Sequence, residues 1–88
     1  MKKSFMEIVV ESLVKEGKNF CGSYVAQDKD GSLNFFLERP KRKVKTHFWD
    51  TKLGSVDSVA GVELHVSWHK NVISLDSYKQ YIAYRFGL

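Results

Sequence analysis

One cysteine and one proline stand among the 88 residues, and each scarcity excludes something. Cys21 alone cannot close an internal disulfide, so packing must hold the fold, and a reducing cytosol is the expected compartment. A secretory leader is not expected, because Glu7 and Glu11 interrupt the segment after Lys2 and Lys3 before an apolar stretch develops. No apolar run approaches the roughly 20 residues that cross a bilayer, so neither a membrane span nor a membrane partner is expected. Length excludes a second lobe: residues 1–88 read as a single domain with one small core and no repeat or linker. Catalytic clefts usually need a larger sheet or two lobes, which favours a binding protein over an enzyme.

The spacings that carry chemistry are also missing. Neither a nucleophile-elbow glycine pattern nor a phosphate-cradling glycine loop before a helix is present. Ser67, His65 and Asp76 supply the residue types of a triad, but triads are defined by geometry and not by inventory. His65 and His69 lie four apart on an expected strand and its end, where they do not share a face, and no C-x-x-C accompanies them. Asp28-Lys29-Asp30-Gly31 begins like a calcium loop and fails on spacing. With Gly31 in the sixth place of an EF-hand, the first ligand would be Ala26 and the twelfth Leu37. No catalytic residue, metal ligand or cofactor is therefore assigned.

What is present points to an α+β fold, an N-terminal helix on an antiparallel sheet of about four strands. Ser4-Phe5-Met6-Glu7 is an S-x-x-E capping box, Phe5, Ile8, Val9 and Leu13 recur at helical spacing, and Gly17 is a stop, which predicts a helix over Ser4 to Glu16. Phe20 to Gln27 and Ser32 to Glu38 read as strands joined by the Asp28–Gly31 turn into a hairpin. Phe36 points away from the Leu33 face, so either both faces of this strand are covered or Phe36 is exposed. Pro40 ends the second strand. Val44 to Asp50 alternates and predicts a third strand, Thr51 to Gly61 a loop, and Val62 to Trp68 a fourth strand with Val62, Leu64, Val66 and Trp68 inward. Ser74 or Asp76 is the expected cap of a C-terminal helix carrying Leu75, Tyr78 and Ile82 on one face, with a further strand as the alternative.

Six Phe, four Tyr and two Trp are many for this length, and a small core cannot absorb them all. Trp49, Tyr78, Tyr81 and Tyr84, with Arg85, are the expected contact residues for a protein partner or a second copy of the chain. The run Arg39, Lys41, Arg42, Lys43 and Lys45 is a basic patch, expected either to keep a connection soluble or, with Trp49 stacking, to hold nucleic acid. Net charge is +4, which mildly favours acidic partners. Capture of a small phosphorylated ligand between protomers is a third possibility.

The stretch "YVAQDKDGSLNFFLERP", followed by Trp49, resembles a pattern in short bacteriophage accessory proteins: Ala before Asp-x-Asp-Gly, an apolar strand, a proline, then a tryptophan. The segment "LVKEGK" is similar to the end of the first helix in small anti-defence proteins that sequester nucleotide signals, whose aromatic-rich continuation is missing here. The resemblance implies a non-enzymatic protein of the host cytosol that binds a host protein and inhibits or modulates it. It assigns no site residue.

Overall fold

A computed structural model describes residues 3–43 and 48–87. Helix α1, Phe5–Glu16, starts where the capping box places it: the Ser4 hydroxyl accepts the Glu7 N–H at 3.1 Å and the Ser4 N–H donates to Glu7 Oε1 at 3.0 Å. It stops at Gly17, whose neighbour Lys18 donates its N–H to the Leu13 carbonyl at 3.0 Å. Phe5, Ile8, Val9, Val10 and Leu13 are buried. Ser4→Ala removes one side of the box and lowers stability by about 1 kcal/mol, measurable as a small drop in the urea midpoint.

Strands β1 (Tyr24–Gln27) and β2 (Leu33–Phe36) form the expected hairpin, in the register Val25↔Phe35, and Gly31 donates its N–H to the Asp28 carbonyl across the turn. Two short strands complete an antiparallel sheet of order β5-β2-β1-β6: β5 (Asp57–Val59) on the far side of β2 and β6 (Val72–Ser74) on the far side of β1. Strands β3 (Lys41–Lys43) and β4 (Phe48–Asp50) pair with each other as a separate ribbon. Helix α2, Leu75–Phe86, follows β6 directly, with Ser74 as its cap and Gly87 as its stop.

Alternation along the strands gives the sheet two apolar faces. On the first, Val25, Leu33, Phe35 and Val59 pack with Phe5, Val9 and Leu13 of α1. Phe20 meets the Phe35 ring edge-on at 5.1 Å and the Tyr78 ring at 4.9 Å, which brings α2 onto the same side. The second face carries Ala26 and Phe36, both buried. β4 and a single 3-10 turn at Trp68–Lys70 lie against β1, and Arg39 sits 5.9 Å above the Tyr24 ring. Both faces are therefore covered, which accounts for the burial of Phe36.

Several expected elements differ. The expected strand over 44–50 is a strand only at Phe48–Asp50 among the described residues, belongs to the ribbon and not to the main sheet, and otherwise falls on 44–47, outside them. The expected loop over 51–61 contains β5. Val62 to Trp68 is not a strand: Leu64 and Val66 face outward, Val66 to 62% exposure. The cause is a side chain. Gln27, fully buried, donates Nε2 to the Glu63 carbonyl at 2.9 Å and accepts the His65 N–H on Oε1 at 2.9 Å, so its amide takes the place of a neighbouring strand.

β5 is an edge strand, and its central residue is closed off by charge. The Ser58 N–H donates to Asp57 Oδ1 at 2.9 Å, and Lys18 Nζ bridges Asp57 Oδ1 at 3.2 Å and the Ser58 carbonyl at 3.3 Å. Such occupation of backbone groups by charged side chains protects an edge from unwanted pairing.

Candidate binding surface

Two adjacent residues fix the covers of the sheet from opposite sides. Gln27 shares the face of Val25 and holds the 63–65 segment beside α1, where the His65 ring lies 6.1 Å from that of Phe5. Asp28, at the start of the turn, reaches the other way: Oδ1 accepts the Trp49 N–H at 2.8 Å and Oδ2 accepts the Asn34 amide at 2.7 Å. The acidic turn is thus a clasp that ties the β3–β4 ribbon to the hairpin. Burial raises the Asp28 carboxyl above its ordinary value. The Trp49 N–H opposes that shift, and the charges of Asp30 and Asp50 add to it.

Because the folded-state value is raised, the stability this group contributes is present below the ordinary carboxylate pKa of about 3.9 and declines as pH rises through the folded value. Asp28→Ala strands the Trp49 N–H and the Asn34 amide and costs about 2 kcal/mol. Asp28→Asn keeps an acceptor for Trp49, lets the Asn34 amide turn to accept, and removes that part of the pH dependence. Urea titrations of the three proteins at pH 4 to 7 compare them.

The ribbon register sorts its side chains. Lys41 lies opposite Asp50 and Lys43 opposite Phe48, while Arg42 lies opposite Trp49. Directly opposed residues share a face. Arg42 and Trp49 form the inner side: Arg42 sits 5.9 Å above the Trp68 ring, Trp49 is half-buried, and its indole Nε1 is buried with no hydrogen-bond partner among the described residues. Trp49→Phe removes that orphaned donor and keeps an aromatic filler, so it costs under about 1 kcal/mol, whereas Trp49→Ala costs about 3 kcal/mol. Thermal melts separate the two variants.

The exposed side carries Lys41, Phe48 and Asp50. At its base Glu38, Arg39, Lys41, Asp50, Thr51 and Lys52 line an open groove of about 500 Å³. Of the basic run expected from the sequence, the ribbon brings Arg39, Lys41, Arg42 and the backbone of Lys43 together, and Lys45 lies outside the described residues. Lys52 joins them without a sequence signal beyond its own type, and Phe48, which directly follows the basic run together with His47 and Trp49 as a stacking candidate, is the ring on this exposed side. The other expected contact residues are elsewhere, on α2. Tyr78 packs against the core, Tyr81 is half-buried, Tyr84 is 89% exposed, and Arg85 is exposed. Arg85 adds a minor pull to the lowered Glu7 carboxyl, which Ser4 dominates through its backbone and hydroxyl bonds. The C-terminal contact residues and the basic residues of the ribbon thus stand apart: α2 lies on the helix side of the sheet and the ribbon on the opposite side.

Of the triad types, His65 Nδ1 accepts the Ser67 backbone N–H at 3.0 Å, and Asp76 lies in the first turn of α2. Among the described residues no group of three His, Cys, Asp or Glu side chains is placed to hold a metal ion, and no helix is long and apolar enough to cross a membrane. The fold is α+β, with an antiparallel four-stranded sheet between two helices and a basic ribbon. Compared with protein-family profiles, with curated proteins and with solved structures, the chain matches none.

Proposed function

We propose that this chain is a non-enzymatic binding protein that engages a protein partner and inhibits or modulates it, in the manner of the phage accessory proteins that its turn region resembles, with a bacterial host protein as the partner. The observation that supports this reading is the aromatic surface left outside the core. Tyr84 is almost fully exposed beside Arg85, and Phe86 and Phe48 are half exposed. Aromatic and arginine side chains dominate the energetics of protein interfaces, and exposing them without a partner gains nothing for a small domain.

Affinity purification from a bacterial lysate, with and without nuclease, tests the reading. A protein retained after nuclease treatment, and lost with Tyr84→Ala and Arg85→Glu together, is the expected result. Recovery of no protein at all removes it.

A second reading is nucleic-acid binding by the ribbon, favoured by Phe48 lying on the same exposed side as Lys41. On that reading the stacking ring is Phe48, since Trp49 faces inward. It requires binding that weakens steeply with salt and falls on charge reversal at Lys41, Arg42 and Lys43.

A further inference from the structure

The two edges of the four-stranded sheet are finished differently. In an antiparallel ladder successive residues turn their N–H and C=O groups to opposite sides of the strand. On β5 the outward residue is Ser58, and both its groups are taken, the N–H by Asp57 Oδ1 and the carbonyl by Lys18 Nζ. Beyond β6 the Leu75 N–H reaches the Ser23 carbonyl at 2.7 Å, so by alternation Ile73 bonds to Val25 and Val72 faces outward. Among the described residues nothing takes the outward N–H and carbonyl of Val72. Helix α2 leaves this open edge directly, and none of its residues is buried. Arg85 lies on the side turned to α1, where its charge reaches Glu7. Asp76, Lys79 and Ala83, at a spacing that shares one side of a helix, form a stripe away from Arg85, and all three are exposed.

We infer that β6 and α2 form an interface with a second copy of this chain, the two β6 edges pairing antiparallel through Val72 and the two α2 stripes lying side by side. An antiparallel edge pairs with its own copy about a two-fold axis along the sheet normal, and the Val72 N–H and carbonyl of each copy then satisfy those of the other. The same axis keeps both α2 helices on one face and runs them in opposite directions, so Asp76 of each copy meets Lys79 of the other. That reciprocal charge match selects a second copy over an unrelated strand. The closed edge limits the assembly to two: in the joined sheet β6 is interior, and both outer strands are β5, each capped by Lys18 and Asp57. The inference goes beyond the protein-partner reading and does not use Tyr84 or Arg85. The interface is small, so the dimer depends on concentration.

Sedimentation velocity on the full chain, from micromolar to near-millimolar concentration, tests it. The mass is expected to rise from 10.2 kDa to twice that value and no further, and amide exchange at Val72 to slow as the dimer fills. Val72→Pro removes the outward N–H, which the ladder within one chain does not use. Asn71, at φ −108° and ψ 123°, already has the backbone that a residue before proline adopts. This variant is expected to keep its circular dichroism spectrum and to stay monomeric. Lys79→Asp sets an acid against Asp76 of the other copy and is expected to weaken the dimer at least about tenfold, while the swap D76K/K79D restores it. If Val72→Pro does not fold, Lys79→Asp and the swap decide the matter, since both positions are exposed. A monomer at every concentration overturns the inference, as does a mass above the dimer, or a dimer that Lys79→Asp leaves unchanged or the swap does not restore. A monomer that loses a retained lysate protein on Val72→Pro also overturns it, because the edge then takes a strand of that protein.

Discussion

Replacing Gln27 by Leu lowers the stability by about 4 kcal/mol, although the new side chain fills nearly the same space. The amide of Gln27 serves three backbone groups: the Gly31 carbonyl at 3.0 Å, the Glu63 carbonyl at 2.9 Å and the His65 N–H at 2.9 Å. Leucine satisfies none of them. The Gly31 bond is buried and its loss carries the full desolvation cost, whereas water can reach the two part-buried groups in the 63–65 segment and offsets some of theirs. A domain of this size has a stability of roughly 5 to 10 kcal/mol, so the variant stands close to unfolding. Urea denaturation should show a lower midpoint, and amide exchange at His65 should accelerate beyond the global loss. A change under about 1 kcal/mol would mean that water replaces the amide at little cost. Gln27→Glu makes the stability depend on pH. Its carboxylate can still accept the His65 N–H but opposes two carbonyl oxygens, so its folded-state pKa is raised. Stability is then retained at acid pH and lost as pH rises through that value.

Gln27 also marks where the sequence stops being legible. Helix α1 is readable because its signals are local: the Ser4–Glu7 box, the stripe through Leu13 and the stop at Gly17 lie within one segment. The hairpin is equally local, closed by its own turn residues, while the C-terminal segment leaves two caps and a strand open, and Ser74 is the cap that α2 uses. Val62 to Trp68 has strict alternation, yet alternation identifies a strand only when a neighbouring backbone is available to pair with it. Here the partner is a side chain 36 positions earlier in the chain, and no period in the sequence reports it. β5 and β6 are three residues each, too short to alternate legibly, and they exist because β2 and β1 offer them edges.

The binding surface divides in the same way. Charge is written in the sequence, so Arg39, Lys41 and Arg42 were recognisable as basic, but the side of the ribbon that each would take was not. That depends on the Asp28 clasp, which fixes Trp49 from 21 positions away and turns its ring inward, leaving Phe48 outside. Lys52 and Glu38 become neighbours across the groove only because the ribbon folds back on itself. The aromatic surplus was legible as a number. Its distribution was not, since Tyr78 is drawn to the core by Phe20 while Tyr84, on the same helix, is left almost fully exposed.

Gly31→Ala should cost about 3 kcal/mol, and Gly61→Ala only about 1 kcal/mol, although both glycines have positive φ. Gly31 has φ 94° and Gly61 φ 70°, conformations that an L side chain adopts only with strain. What separates them is space. A Cβ at Gly61 would meet nothing within 4 Å, whereas one at Gly31 would stand 2.5 Å from the Val62 carbonyl oxygen. That oxygen belongs to backbone and cannot swing aside as a side-chain tip can. Val62 packs against the core and is followed by the Glu63 and His65 groups held by Gln27, so moving it disturbs both attachments. Part of each cost is offset because alanine narrows the unfolded ensemble by a few tenths of a kcal/mol, and this term is shared by the two variants. Their difference in urea midpoint therefore reads the close approach of the turn to the 62–65 segment. Equal losses would mean that Val62 yields freely and that Gln27 alone holds the segment in place.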